Sequence, residues 1–342
     1  MSMISLGFLR PSMLHQNFPG TPTFTEKDIP DLAGKVYIVT GSNSGVGKEL
    51  ARILYSANAT VYVACRTESK AQKAIEEIHS ASPQSNGTVK FLHLDLSDLT
   101  TIKPAAEAFM RQEEKLHVLF NNAGVMTPPD GEVTAQGYDL QLGTNCLGPF
   151  LFTQLLTPTL ANTATDEAVG AVRVVWVSSM AAELYSVHHG LDVGELKEKN
   201  YPSRSKSITR YGNSKAGNYY HSVEYARRHR EDGIISVAMN PGNLDSELYR
   251  SSNTQKGLDK ITINLFTKIM LYPQVNGAYT ELFSGFSPDI TAANSGCWVG
   301  PWGRFFNIRK DIAAGTQRPT EGGQSISEQF WEWSVEQTRN YR

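Results

Sequence analysis

Cysteine is scarce in this chain: Cys65, Cys146 and Cys297 stand far apart among 342 residues. An odd, scattered set with no C-x-x-C or Cys/His spacing argues against a disulfide scaffold and a structural zinc site, and it fits a reducing compartment. Long apolar runs are missing as well. No stretch reaches the roughly 18 uninterrupted apolar residues of a spanning helix. The short run at 4–9 lacks the preceding basic residues of a secretory signal. Charge is sparse and balanced. Charged residues make up 19%, and 32 Lys+Arg face 34 Asp+Glu for a net charge of −2. This excludes a generally basic nucleic-acid binder and a polyacidic tail, and it leaves room for a local basic site for one phosphate. With 28 Gly and 16 Pro, collagen-like and low-complexity classes are also excluded. What the chain does have is 40% hydrophobic residues, enough for one large α/β domain or two small ones.

Residues 1–34 read as an irregular leader, interrupted by Pro11, Pro19, Pro22 and Pro30. From Lys35 the texture changes. Short apolar, β-branched runs at 36–39, 60–64, 89–94, 117–120, 172–177 and 234–239 predict strands. Helix-period segments lie between them, at 48–56, 67–80, 101–114, within 138–160 and at 211–230. Alternation of this kind predicts βαβ units: an α/β, doubly wound parallel sheet of Rossmann type, as a single domain over 35–300. Two inserts, expected to cover the substrate, interrupt the rhythm at 182–210 and 243–273. The second carries Leu258, Ile261, Leu265 and Ile269 along one helical face. A C-terminal extension at 301–342 contains Ser325-Ile326-Ser327-Glu328, which predicts a capping box opening a helix with Phe330, Trp331 and Trp333 in the core.

Four constellations carry chemistry. Thr40-Gly41-Ser42-Asn43-Ser44-Gly45-Val46-Gly47 joins the first strand to the first helix. Glycines there permit a tight turn and let a pyrophosphate approach the helix N-terminus, although the spacing is G-x-x-x-G-x-G and not G-x-G-x-x-G. At the end of the second strand, where an acid would hold the ribose of NAD, the chain reads Ala64-Cys65-Arg66-Thr67. The planar fork of Arg66 suits a 2′-phosphate, which favours NADP; a solvated surface arginine is the other reading. Tyr211 and Lys215 lie four residues apart on one helix face, where an ammonium favours the phenolate and tunes the tyrosine as general acid or base. A buried tyrosine beside a snorkelling lysine fits the same spacing. Ser178-Ser179 closes the fifth strand, on the edge where ligands bind in such sheets, and does not sit in a G-x-S-x-G elbow.

Taken in order, these residues resemble the short-chain dehydrogenase/reductase family over about 32–301. The resemblance rests on Thr40/Gly41/Gly45/Gly47, Asp95-Leu96, Asn121-Asn122-Ala123-Gly124, Asn145, Ser179, Tyr211/Lys215, and Pro241-Gly242 followed by Ser246. It implies an oxidoreductase that interconverts a carbonyl and an alcohol with a nicotinamide cofactor. By the same resemblance, Tyr211 is the proton donor or acceptor, Lys215 holds the nicotinamide ribose, Ser179 orients the carbonyl oxygen and Asn145 holds a water. Gly41, Ser42, Ser44, Gly45, Val46 and Gly47 would meet the dinucleotide, Asp95 the adenine, and Asn122, Ala123 and Gly124 the ribose region. Pro241, Gly242, Leu244 and Ser246 would lie on the nicotinamide side. Ser246 stands where the family usually has Thr. A gap of 32 positions between Ser179 and Tyr211 is similar to the retinol dehydrogenase and WW-domain oxidoreductase branch and to fungal reductases. The membrane anchor of the membrane-bound retinol dehydrogenases has no counterpart here.

The expectation is therefore an NADP-dependent enzyme in the cytoplasm acting on an apolar small molecule, without a metal, with a homodimer through the two long helices as its oligomeric option. A dehydratase or cyclase on the same fold, or an NADP(H)-sensing binding protein, are the rivals. His188-His189 reads as an exposed loop pair, and Cys146 as a small core residue. Trp298, Trp302, Phe305 and Phe306 would wall a pocket or pack the core. Lys197, Lys199, Arg204 and Lys206 read as solvated.

Overall fold

The structure is a computed structural model that describes residues 11–196, 205–245 and 271–342. Val36–Thr40, buried along its whole length, forms β1 near the middle of the sheet. Around it stand β2 (Thr60–Cys65), β3 (Thr88–His93), β4 (Val118–Asn121), β5 (Arg173–Val177) and β6 (Ile235–Met239). Two short strands, β7 (Trp298–Gly300) and β8 (Arg304–Phe305), complete the edge. Among the described residues the sheet has eight strands in the order β3-β2-β1-β4-β5-β6-β7-β8, all parallel except β8. Val39 pairs with Val63 on one side and Phe120 on the other. The chain winds outward from β1 to β3 and then returns to β4. That reversal opens a crevice at the carboxyl ends of β1 and β4, the place where doubly wound sheets bind ligands.

Side chains alternate across each strand, so the sheet has two apolar faces. Ile38, Tyr62, Leu119, Val174 and Trp176 point to one, and Val39, Val63, Phe120, Val175 and Val237 to the other. The second face is covered by α2 (Gly45–Ser56), α3 (Glu68–Ala81) and α8 (Gln274–Phe286), and the first by α4 (Ile102–Met110), α5 (Gly148–Asp166), α7 (Ser207–Arg228) and α10 (Ile326–Thr338). The small helices α1 (Pro11–Asn17), α6 (Ala181–Leu184) and α9 (Lys310–Ala314) pack at the margins. Arg173 fastens α8 to β5: its guanidinium donates to the carbonyls of Gly170, Ser284 and Ser287, satisfying acceptors at a helix C-terminus. No helix among the described residues is long and apolar enough to cross a membrane.

The C-terminal extension is part of the core. It lays α10 over α7, so that Arg210 to Ala226 are buried continuously. His221 stacks on Phe330 at 4.6 Å and meets Ser334 Oγ through Nε2 at 3.0 Å. The buried Glu224 carboxylate accepts from Ser327 Oγ, Arg227 and Arg318. Phe330, Trp331 and Trp333 are core residues as expected, but the capping box does not form. Ser325 has φ +50° with its hydroxyl unpartnered, and Glu328 is held by Arg318 instead of the helix backbone. The leader differs from expectation too. Proline at the first position of a helix gives up an N–H that would have no partner anyway, so Pro11 opens α1 where a break was expected. The second insert's predicted face, Leu258, Ile261, Leu265 and Ile269, lies outside the described residues.

One polar group sits oddly in this core. Glu281 of α8 is fully buried between Ala278 and Leu282 in sequence, and neither carboxylate oxygen has a hydrogen-bond partner among the described residues. Burial raises its pKa from 4.5 to about 8. A raised folded-state pKa means that the protonated acid is the form the core tolerates. Its stability contribution is full below about pH 4.5 and is lost as pH climbs through about 8. Glu281→Gln should therefore gain on the parent protein by about 2–4 kcal/mol as pH rises across that window. Thermal unfolding at the two ends measures this, and equal shifts at both would contradict it.

Candidate active site

A cavity of about 1000 Å³ occupies the crevice beyond the carboxyl ends of β1, β2, β4, β5 and β6. Its floor is the glycine turn. Gly41 and Gly45 take φ of +70° and +62°, a region that favours glycine. A Cβ on Gly41 would lie 2.9 Å from Ala123 Cα, and one on Gly47 only 2.4 Å from Asn122 Nδ2. These two glycines thus let the turn press against the end of β4. The contact is stitched by Asn122 Nδ2 donating to the Thr40 carbonyl at 2.7 Å and by Ala123 N–H donating to Thr40 Oγ1 at 2.9 Å. Gly45 is different. A Cβ there would meet nothing within 4 Å, so the turn is open above it. Ser44, the residue before α2, gives no side-chain bond to the helix's first turn, which leaves that N-terminus suited to an anion. Ser42 is turned inward, donating to the Val39 carbonyl at 2.6 Å, and its side chain is buried.

Arg66 stands exposed on the cavity rim at the end of β2. Asp95 follows β3 and lines the same end. Its carboxylate is held by the N–H and hydroxyl of Ser97 at 2.9 and 2.6 Å. An open helix N-terminus, an unblocked glycine and a rim arginine form a donor set that fits a dinucleotide carrying an extra phosphate.

At the other end, α7 brings Tyr211 and Lys215 to the cavity. Lys215 Nζ lies 5.8 Å from the centre of the Tyr211 ring and donates to the Val177 carbonyl at the end of β5, at 2.8 Å. Asn218 Nδ2 shares that carbonyl at 3.0 Å. Burial depresses the Lys215 pKa from 10.5 to about 8. The serine pair divides its work. Ser178 donates its hydroxyl to the Lys215 carbonyl at 2.6 Å, whereas Ser179 Oγ accepts from Ala181 N–H at 3.1 Å on the cavity wall. An oriented serine hydroxyl, a phenol and a neighbouring ammonium can bind a carbonyl oxygen and move one proton to or from it.

Asn145 and Gly47 are not brought to the cavity surface; they lie behind it. Asn145 sits in a π-turn, Gly143–Leu147, that precedes α5. Its Oδ1 accepts from Val125 N–H at 2.8 Å, and its Nδ2 donates to the Val125 carbonyl and to Ser214 Oγ. Ser214 in turn donates to the Tyr211 carbonyl at 2.8 Å. A Cβ on Gly124 would lie 3.2 Å from both Asn145 Oδ1 and Lys215 Nζ, so a side chain there would part the two. Ala123 and Gly124 line the cavity beside them, and Pro241, Gly242 and Leu244 form the facing wall. Ser246 lies outside the described residues, as do Lys197, Lys199 and Arg204.

The remaining wall is largely apolar: Tyr185, Ile208 and Leu271 come from the two inserts expected to cover the substrate, whereas Met126 and Leu140 were not anticipated. Met126 and Tyr185 follow β4 and β5 by a few residues, so the rule that ligands sit past carboxyl ends was the available signal. Other aromatic candidates belong to the core or the surface. Trp298 and Trp302 are buried away from the cavity, and Phe305 is exposed on β8. His189 is tied to Asp311 by its N–H and its ring, away from the cavity. Cys146 is fully buried against the Ser214 carbonyl, where desolvation pushes its thiol pKa up, as a core residue requires.

The family model for short chain dehydrogenases matches residues 35–190. A short-chain dehydrogenase/reductase of Phomopsis amygdali is 52% identical over 330 residues, spanning 95% of this chain and 96% of its own. The short-chain dehydrogenase/reductase bet4 of Neocamarosporium betae is 46% identical over 334 residues, spanning 96% and 94%. Among solved structures, the NADPH-bound carbonyl reductase from chicken fatty liver shares the fold with a TM-score of 0.57 at 21% identity, covering 80% of this chain and 99% of its own. A nearly full-length relative at 52% identity, with the glycine turn and the Tyr211/Lys215 pair on one crevice, settles the kinship: the chain belongs to the short-chain dehydrogenase/reductase family.

Proposed function

We propose that this oxidoreductase uses NADP(H) to interconvert a carbonyl and an alcohol, acting as a ketone or aldehyde reductase on an apolar small molecule. The observation that carries this reading is the Lys215 ammonium, fixed on the Val177 carbonyl beside the Tyr211 ring at the edge of the crevice. When bound, the nicotinamide supplies the hydride to the carbonyl carbon. Tyr211 gives its phenolic proton to the oxygen, and the nearby ammonium stabilises the phenolate left behind. Ser179 orients the same oxygen through its hydroxyl. Asn145 acts one step back, by holding the segment after β4 against Ser214 and the start of α7, which keeps Lys215 and Tyr211 in place. A water held by Asn145 for the proton's return belongs to this reading.

Backbone of Gly41, Ser42, Ser44, Gly45, Val46 and Gly47 would hold the pyrophosphate, with Asp95 and Asn122 at the adenine and ribose. The choice of NADP rests on Arg66, an exposed guanidinium on the rim at the end of β2 with no competing acid beside it until Glu68. The apolar wall of Met126, Leu140, Ile208 and Leu271 supports an apolar substrate. A cytoplasmic setting, where reduced NADP favours reduction, completes the reading. A homodimer through the long helices is not favoured. Its own α10 already covers α7, and Trp331 packs edge-on against Phe150 of α5 at 4.9 Å.

Tyr211→Phe should lower turnover by about 10²–10⁴-fold while leaving NADPH affinity nearly unchanged. Stopped-assay turnover together with cofactor titration measures both, and near-normal turnover would sink the mechanism. Arg66→Asp should shift preference from NADPH towards NADH by about tenfold or more, since it replaces a phosphate partner with a ribose partner. Competition between the two cofactors checks this, and an unmoved ratio would count against the role of Arg66.

A further inference from the structure

Two polar residues of the N-terminal helix α1, Gln16 and Asn17, are buried at the back of the cavity wall. Gln16 is 1% exposed and Asn17 2%. Gln16 Nε2 donates to Glu183 Oε2 at 2.9 Å, and its Oε1 accepts from Asn240 Nδ2 at 3.0 Å. Glu183 belongs to α6, just past Ser179 and next to Leu184 and Tyr185, which line the cavity. Asn240 directly precedes Pro241 and Gly242 on the opposite wall and accepts from Gly242 N–H at 3.1 Å. One amide therefore spans from the segment after β5 to the segment after β6. Asn17 grips the second wall further along: its Oδ1 accepts from Asn243 Nδ2 at 2.7 Å, and its carbonyl accepts from the Tyr272 hydroxyl at 3.3 Å.

We propose that α1 is a strap that sets the spacing of the segments after β5 and β6 where they wall the cavity, with Gln16 as its positioning residue. The side chain chemistry is specific. Gln16 must present an N–H to a carboxylate and an oxygen to an amide at once, which glutamine does and neither glutamate nor an apolar isostere can do. The partners lie 167 and 224 positions from Gln16 in sequence, and the strap joins the two segments just beyond Val177 and Met239, where the β5–β6 pairing ends. Residues Leu184, Tyr185, Gly242, Asn243 and Leu244 take their places on the cavity partly through it. The consequence falls on substrate and on the nicotinamide side of the cavity and leaves the adenine and pyrophosphate end alone, because the turn at Gly41 to Gly47 makes its contacts with the end of β4. Which face of the cavity meets substrate rests on the proposed function; the mechanical role of the strap does not.

The test uses the full chain. Gln16→Glu sets a carboxylate against Glu183 while keeping the acceptor for Asn240. Gln16→Met removes both bonds without adding charge, which covers the case in which the charged variant fails to fold. Backbone amide exchange at 181–185 and 242–244 should rise about tenfold in either variant, with β1 to β3 unchanged and affinity for adenosine 2′,5′-bisphosphate, which lacks the nicotinamide, within about twofold. With phenanthrenequinone as probe, KM should rise about tenfold and kcat change less than about threefold. Adding Glu183→Gln to Gln16→Glu recreates a complementary pair and should return exchange and KM towards the parent values. Unchanged exchange at both segments, a uniform rise across the sheet, or a defect that Glu183→Gln does not repair would each overturn the strap. If the parent protein fails to reduce the quinone, the proposed reaction is what fails, and the exchange pattern still decides the role of Gln16.

Discussion

A buried ammonium organises the reactive end of this molecule. Lys215 is 4% exposed, and desolvation lowers its pKa, while the Val177 carbonyl at 2.8 Å gives the buried ammonium a hydrogen-bond partner. The balance leaves its pKa near 8, below the ordinary 10.5. A depressed folded-state value means that the unfolded chain binds the proton more tightly, so stability grows as pH rises from about 8 to 10.5. At neutral pH the protein therefore carries a charge that its fold disfavours, a kind of local conflict typical of functional sites. Several neighbours exist to hold it there: Asn218 on the same carbonyl, Ser178 on the Lys215 carbonyl, and the Asn145–Ser214 link to the Tyr211 backbone.

Everything outside the central sheet converges on this corner. The turn after β1 is pressed against the end of β4, where Gly41 and Gly47 leave no room for a Cβ. The two terminal segments brace the opposite end. From the N-terminal side, α1 bridges Glu183 and Asn240. From the C-terminal side, Arg309 donates to the carbonyls of Glu183 and Val187, and α10 buries α7. A long helix buried from Arg210 to Ala226 needs partners for its polar groups; Glu224 and the Nε2 of His221 find them on and around α10, while His221 Nδ1 has none among the described residues.

Periodicity and spacing made much of this legible. Strands buried on both faces read as continuous β-branched runs, so β1 to β6 and the parallel order followed from pattern alone. The glycine turn, Arg66 and the Tyr211/Lys215 pair were visible because their chemistry depends on local spacing. What stayed hidden depends on contacts between distant positions. Gln16 carries no signal of its meeting with Glu183 and Asn240, and prolines in the leader argued against the helix that carries it. The expected Ser325 cap was a local motif overruled by tertiary pairing, because Arg318 takes Glu328. Short β7 and β8, of three and two residues, are below the length at which alternation can be read.

The proposed reaction passes hydride directly from NADPH to a carbonyl carbon, with the proton supplied by Tyr211. Reduction of an apolar ketone with NADPH deuterated at the transferring position tests it most directly, read by mass spectrometry of the alcohol. Direct transfer leaves one deuterium on the carbinol carbon and none exchanged with solvent. An alcohol without that label, or cofactor left unconsumed across a panel of carbonyls, would contradict it.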